Sequence, residues 1–321
     1  MTRLFVKAIN LNPEKKDKIL SRLKIVNKVS SFFPYKPKKG FIRELHIVGG
    51  GTMEIFKKTT QEEQNKSTPK KKQLPASPSK KVVYIVHGGA FVLDLIHIYR
   101  IMHARYSDAG HGASVAMVDY RTAPDFTYPA AHDDTMAGWE FLLAQGYDPS
   151  DIVVVGDSAG GNIVLSMILQ LRDSGKPLPK ATVLISPWTD LLATGESYHK
   201  NYQQDPLFGS KKNALCEEAH EKFLKCGAYE YAKDTDRANP YLSPIYGDYH
   251  NFPPTLTIAG EYEILLDDAV KVHQKMLDAE CDARLIIGEK MWHVYPLFYH
   301  ASPTAKAAML EVWKFISEHL A

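Results

Sequence analysis

Cysteine is scarce: Cys216, Cys226 and Cys281 are the only three in 321 residues. An odd number without metal-like spacing excludes a disulfide framework and a zinc ribbon, and fits reduced thiols in a cytoplasmic protein. Long apolar runs are missing too. No stretch is long enough to span a bilayer, and the opening MTRLFVKAINLNPEKKDK lacks the apolar core of a secretory signal. The expectation is a cytoplasmic chain with no stable membrane insertion. There is no HExxH, and no cluster of histidines and carboxylates at ligand spacing, so no metal and no other cofactor is expected. Neither sign of charge dominates, with 39 Lys and Arg against 37 Asp and Glu. The one basic stretch, KKTTQEEQNKSTPKKKQLPASPSKK from Lys57 to Lys81, carries no interleaved aromatic residue. It reads as a solvated loop, and no nucleic-acid partner is expected.

What is present is an ordinary globular composition, 45% hydrophobic and 24% charged. Residues from Glu14 to Phe33 have helical spacing, with Ile19, Leu23 and Val26 on one face and lysines opposite. FIRELHIVGGGTMEIFKK then reads as an antiparallel hairpin around a triple glycine. From Val82 onward apolar strands alternate with helical stretches: VVYIVHGG, a helix carrying Ile101 and Tyr106, ASVAMVDY, the helical AAHDDTMAGWEFLLAQGY, DIVVVGD, ATVLISPW, TLTIAGEYE and ARLIIGE, with a closing helix from Thr304 to Leu320. That order predicts an α/β fold, an open and mostly parallel sheet flanked by helices. About sixty residues between Asp190 and Phe252 break the alternation with helical pieces such as NALCEEAHEKFLKC, and an excursion of that length is usually functional. The division predicted is an N-terminal part of a helical cap over 1–40, a first core part over 41–189, a cap insertion over 190–251 and a second core part over 252–321.

The stretch DIVVVGDSAGGN, residues 151–162, runs a buried strand through a G-x-S-x-G turn into the helical IVLSMILQL. Glycines on both sides of a crowded turn would leave Ser158 at its tip, above the carboxyl end of the sheet. A dinucleotide fingerprint does not fit, because Ser158 stands where the second glycine would have to admit a pyrophosphate. A serine hydroxyl is a weak nucleophile at neutral pH and needs a base oriented by an acid, in the chain order serine, acid, histidine on this architecture. His293, a few residues beyond ARLIIGE, is the best placed of thirteen histidines. For the acid, GEYEILLDDA offers Glu261, Glu263, Asp267 and Asp268. Asp267 and Asp268 precede a helical run and read as its caps. Glu263 lies nearer the strand end and is preferred, with either aspartate kept open. Attack on an acyl carbonyl also needs fixed N–H donors for the oxyanion. HGGAF, residues 87–91, supplies Gly89 and Ala90, with Gly88 shaping the loop, and Ala159 follows the serine. Phe91, Asp157 and Trp188 are expected as substrate-pocket lining or turn supports, with plain packing as the alternative.

HGGAF, DYRTAPDFTYPAAHDD, GDSAGGN, SPWTDL, NPYLSPIY, GEYEILLDDA and MWHVYPLF, spread from Val82 to the C-terminus, together resemble the hormone-sensitive-lipase-like esterases, the bacterial family IV carboxylesterases. The resemblance implies an α/β-hydrolase fold with a helical cap and hydrolysis of a small ester of short to medium acyl chain through an acyl-enzyme. It also implies an acid within EILLDD, which supports Glu263, and backbone donors at Gly89, Ala90 and Ala159. Ala90 departs from the HGGG loop of that family; its N–H is kept while its methyl narrows the pocket. An amidase or peptidase with the same triad remains an alternative, as does a ligand binder without catalysis, against which His293 argues. The strand after Leu285 is expected at a sheet edge, where a second copy could pair as a homodimer.

Overall fold

Eight strands form one sheet in the order β1-β2-β4-β3-β5-β6-β7-β8. The computed structural model describes residues 35–59, 79–209 and 229–321, with the single positions 217, 220 and 224 between them. The expected helix from Glu14 to Phe33, residues 60–78 of the basic stretch and most of NALCEEAHEKFLKC lie outside the described residues. β1 (Phe41–Val48) and β2 (Gly51–Lys58) make the expected antiparallel hairpin, and β2 draws Lys57 and Lys58 into the sheet. β3 (Val82–Val86), β4 (Ser114–Asp119), β5 (Ile152–Asp157), β6 (Ala181–Ile185), β7 (Thr255–Gly260) and β8 (Ala283–Gly288) follow, parallel to one another. β8 is the free edge expected after Leu285.

The chain steps from β3 to β4 on one side and then returns to lay β5 on the other. Strand order reverses there, so a crevice opens beyond the carboxyl ends of β3 and β5, where ligands bind in open α/β sheets. HGGAF leaves β3 and the serine turn leaves β5 at that point.

The central strands β3, β5, β6 and β7 are buried at every position because helices cover both faces. The helices whose bounds lie among the described residues are α1 (His97–Ile101), α2 (His103–Ala109), α3 (Ala130–Ala144), α4 (Ala159–Asp173), α5 (Ser197–Lys200), α6 (Leu266–Asp278) and α7 (Pro303–His319). Val82, Tyr84, Val86, Ile152 and Val154 pack with α3, α4 and α6, while Val83, Ile85, Val153 and Val155 pack with α1, α2 and α7. Each such valine or isoleucine stabilises the fold by about 1.5–3 kcal/mol relative to exposure. The stretch read as one helix carrying Ile101 and Tyr106 divides at Met102. Tyr99, Met102 and Tyr106 form the buried stripe, and Ile101, 53% exposed, falls outside it. The closing helix begins one residue earlier than expected, capped by the Ser302 hydroxyl, which accepts from Ala305 N, with Pro303 in its first turn. Among the described residues of 190–251 there is no strand; α5, the helical positions Glu217 and His220, and short 3-10 turns at Tyr229–Tyr231 and Pro244–Tyr246 stand there instead. No helix among the described residues is long and apolar enough to cross a membrane.

Candidate active site

The turn after β5 is forced by close contact. A Cβ on Gly160 would sit 2.1 Å from the Val86 carbonyl oxygen, and one on Gly156 would sit 2.6 Å from that of Gly160. Only glycine lets strand and helix approach that closely. Ser158 between them adopts φ 52° and ψ −121°, a conformation that costs a non-glycine residue on the order of 1–3 kcal/mol and must be held by its surroundings. Ser158 N donates to Ile185 O at 2.9 Å, and Ser158 O accepts from Trp188 N at 3.0 Å and Asn162 N at 3.2 Å. The Asn162 side chain in turn donates to the carbonyls of Trp188 and Leu242.

Three strand ends converge on this serine. Ser158 Oγ lies 2.9 Å from His293 Nε2, and His293 Nδ1 lies 3.0 Å from Glu263 Oε2. All three side chains are buried, the most exposed at 4%. The Glu263 carboxylate accepts only, which places the imidazole proton on Nδ1 and leaves the Nε2 lone pair for the serine hydroxyl. The other oxygen, Oε1, accepts from the Ser186 hydroxyl at 2.6 Å and from the Gly260 amide. Ser186 Oγ also accepts from Val294 N at 2.9 Å, so one hydroxyl fixes both the acid and the residue after His293. Ser186 stands in the SPWTDL motif, but nothing local in the sequence marks it for this contact.

Asp267 and Asp268 face elsewhere. Asp267 Oδ2 accepts from Ser197 N, and Asp268 Oδ2 accepts from the amides of Thr189 and Asp190. Neither forms the side-chain cap expected of it, because α6 has none at its start and both carboxylates reach across to the 189–197 segment. Burial, with the Asp190 charge adding to it, pushes the Asp268 carboxyl well above the usual range.

The loop after β3 is a tight coil in which Gly89, Ala90 and Phe91 have φ of 128°, 56° and 59°. The Gly88 amide is committed to the Tyr99 hydroxyl at 2.9 Å and Asp157 Oδ1 at 3.0 Å, so Gly88 shapes the loop and is not a free donor. No acceptor among the described residues engages the amides of Gly89, Ala90 or Ala159. Asp157 supports the turn, accepting also from the Tyr99 hydroxyl, and burial pushes its carboxyl up to about 6 despite these hydrogen bonds. Phe91 is fully buried, its ring stacked 4.4 Å from that of Tyr231, and Trp188 packs against both Phe91 and Tyr229. A hollow of about 280 Å³ lined by Asp94, Asp119, Arg121, Thr122 and Phe126 lies on the Tyr120 side of this loop, and Ser158 does not line it.

Sequence and fold comparisons agree on the kinship of this molecule. A family model described as the alpha/beta hydrolase fold matches residues 82–297. An esterase of Acinetobacter venetianus is 32% identical over 73% of this chain and 74% of its own length. An acetyl-hydrolase of Streptomyces hygroscopicus is 32% identical over 73% and 75%. The crystal structure of an esterase from the bacterial hormone-sensitive lipase family superposes with a TM-score of 0.74 at 30% identity, covering 94% of this chain and 98% of that one.

Proposed function

This chain belongs to the hormone-sensitive-lipase-like α/β-hydrolase family and is a carboxylic ester hydrolase, and from that premise we propose that Ser158 is its nucleophile, His293 its general base and Glu263 the acid that orients the base. The observation that carries the reading is the unbroken line of contacts from Ser158 Oγ through His293 to Glu263, at 2.9 and 3.0 Å, drawn from three separate strand ends. Ser158 Oγ attacks the acyl carbon as His293 Nε2 takes its proton, and Glu263 stabilises the imidazolium so formed. The carbonyl oxygen becomes an oxyanion within reach of the unengaged amides of Gly89, Ala90 and Ala159. His293 returns the proton to the departing alkoxide oxygen, and the acyl group stays on Ser158. Water, deprotonated by the same histidine, then releases the acid.

The substrate class is a small ester of short to medium acyl chain, in keeping with the acetyl-hydrolase name of a relative 32% identical to this chain and with Ala90, whose methyl adds bulk beside the donors. Initial rates on p-nitrophenyl esters from acetate to palmitate test this, with Ser158→Ala, Glu263→Ala and Asp267→Ala alongside. Activity should peak at the short chains, vanish with Ser158→Ala, and fall far more with Glu263→Ala than with Asp267→Ala. Hydrolysis confined to the matching anilides would instead favour an amidase. The free edge of β8 offers a second copy a pairing surface for a homodimer, which sedimentation equilibrium would detect. Cys281, a free thiol donating to Tyr249 O, is in keeping with a reducing cytoplasmic compartment.

A further inference from the structure

The segment after α5 grips the loop that bears Glu263. Asn201 Nδ2 donates to the carbonyls of Glu261 at 2.9 Å and Glu263 at 2.8 Å. Asp205, 1% exposed, accepts at Oδ2 from Ile264 N, the amide directly after Glu263, at 3.0 Å. Its Oδ1 accepts from Leu207 N at 2.7 Å and Phe208 N at 3.0 Å. Gly209 completes this DPLFG turn, since a Cβ there would sit 1.8 Å from Tyr202 O. The turn lays Phe208 edge-on against the His293 ring, centroids 4.8 Å apart.

Asp205 and the His293 imidazole are within electrostatic reach of each other. The carboxyls that face the ring are Glu263 from the loop after β7, Asp157 from the end of β5 and Asp205 from this turn. Burial pushes the Asp205 carboxyl up, while its hydrogen bonds and the imidazole oppose that. All three hydrogen-bond partners of Asp205 are N–H donors, which suits the ionised form.

We infer that Asn201 and Asp205 are positioning residues of the hydrolytic centre: Asn201 holds the backbone of the acid loop by its carbonyls, and Asp205 holds it by the Ile264 amide while adding a further buried negative charge near the imidazolium that forms during acyl transfer. The inference rests on the assignment of Ser158, Glu263 and His293 above. A negative charge near an imidazole favours its protonated form, so removing the charge weakens the base in the transition state and lets the free base persist to lower pH.

The test is kcat and KM for p-nitrophenyl acetate from about pH 5 to pH 9, in wild type, Asp205→Asn, Asn201→Ala and Ser158→Ala. Asp205→Asn keeps an acceptor but loses the charge, and should lower kcat about ten-fold with little change in KM, its acid limb displaced to lower pH. Asn201→Ala should lower kcat several-fold and leave the limb in place. A fall in kcat with an unmoved limb in Asp205→Asn makes Asp205 a structural residue and overturns the charge role, as does a profile superimposable on wild type. Should Asp205→Asn not fold, Asn201→Ala decides, and an unchanged kcat overturns the positioning role. Residual activity of Ser158→Ala near that of wild type would sink the underlying assignment instead, a result distinct from either.

Discussion

The carboxylate chosen by the imidazole is decided by reach. Glu263, Asp267 and Asp268 stand within six positions of one another, yet Glu263 alone of them touches His293 while its second oxygen is held by Ser186 and Gly260. Glu263→Gln should therefore lower kcat by roughly 10⁴-fold, because the amide leaves the ring free to present the wrong nitrogen. Asp267→Asn should stay within a few-fold of wild type, since Asp267 serves Ser197. Steady-state kinetics on p-nitrophenyl butyrate checks both, and an Asp267→Asn defect as deep as that of Glu263→Gln would contradict the assignment. The sequence makes the candidates visible and leaves their ranking to strand-end position. Ser186, Asn201 and Asp205 were not legible at all, because each acts through backbone or side-chain contacts more than fifty residues away in the chain.

At the scale of elements, the Tyr229–Tyr231 turn is docked on α3 through a buried polar chain. The Tyr231 hydroxyl meets His132 Nδ1 at 2.8 Å, and His132 Nε2 meets Asn162 Oδ1 at 3.3 Å, on the helix that follows Ser158. Burial drives His132 down to about 3 and His87 down to about 4, whereas an unfolded histidine titrates near 6.5. With the folded value below the unfolded one, the stability each neutral imidazole contributes is full above about pH 6.5 and is lost as pH falls toward the folded value. For His132 that loss is on the order of 3 kcal/mol by pH 4. His132→Gln removes this share, so its deficit in Tm relative to wild type should be largest at pH 7 and shrink or reverse by about pH 4. A deficit constant across that range would show that His132 is not held neutral. The helix break at Met102 was hidden: the stretch carrying Ile101 and Tyr106 reads as one helix, and no proline or glycine marks where the chain turns between α1 and α2.

For the whole molecule, the order of elements says most. Apolar runs that alternate with helical stretches predict a parallel sheet from sequence alone, and β3 to β8 lie where that pattern puts them, while β1 and β2 form the antiparallel hairpin read from their alternation. The positions of Ser158 and His293 follow from the same reading, one between two glycines at a strand end and one past the last strand. Strand order does not follow from local pattern; it is the return of β5 to the far side of β3 that brings HGGAF and the serine turn to one crevice. The central claim is that this crevice forms an acyl-enzyme at Ser158. Its most direct test is inactivation with diethyl p-nitrophenyl phosphate, a probe that phosphorylates an activated serine, followed by intact-mass and peptide mapping. A single adduct per chain, located on Ser158 and formed in step with the loss of esterase activity, is the predicted result. An adduct on another residue that tracks the loss of activity, or full activity retained with Ser158 modified, would contradict it.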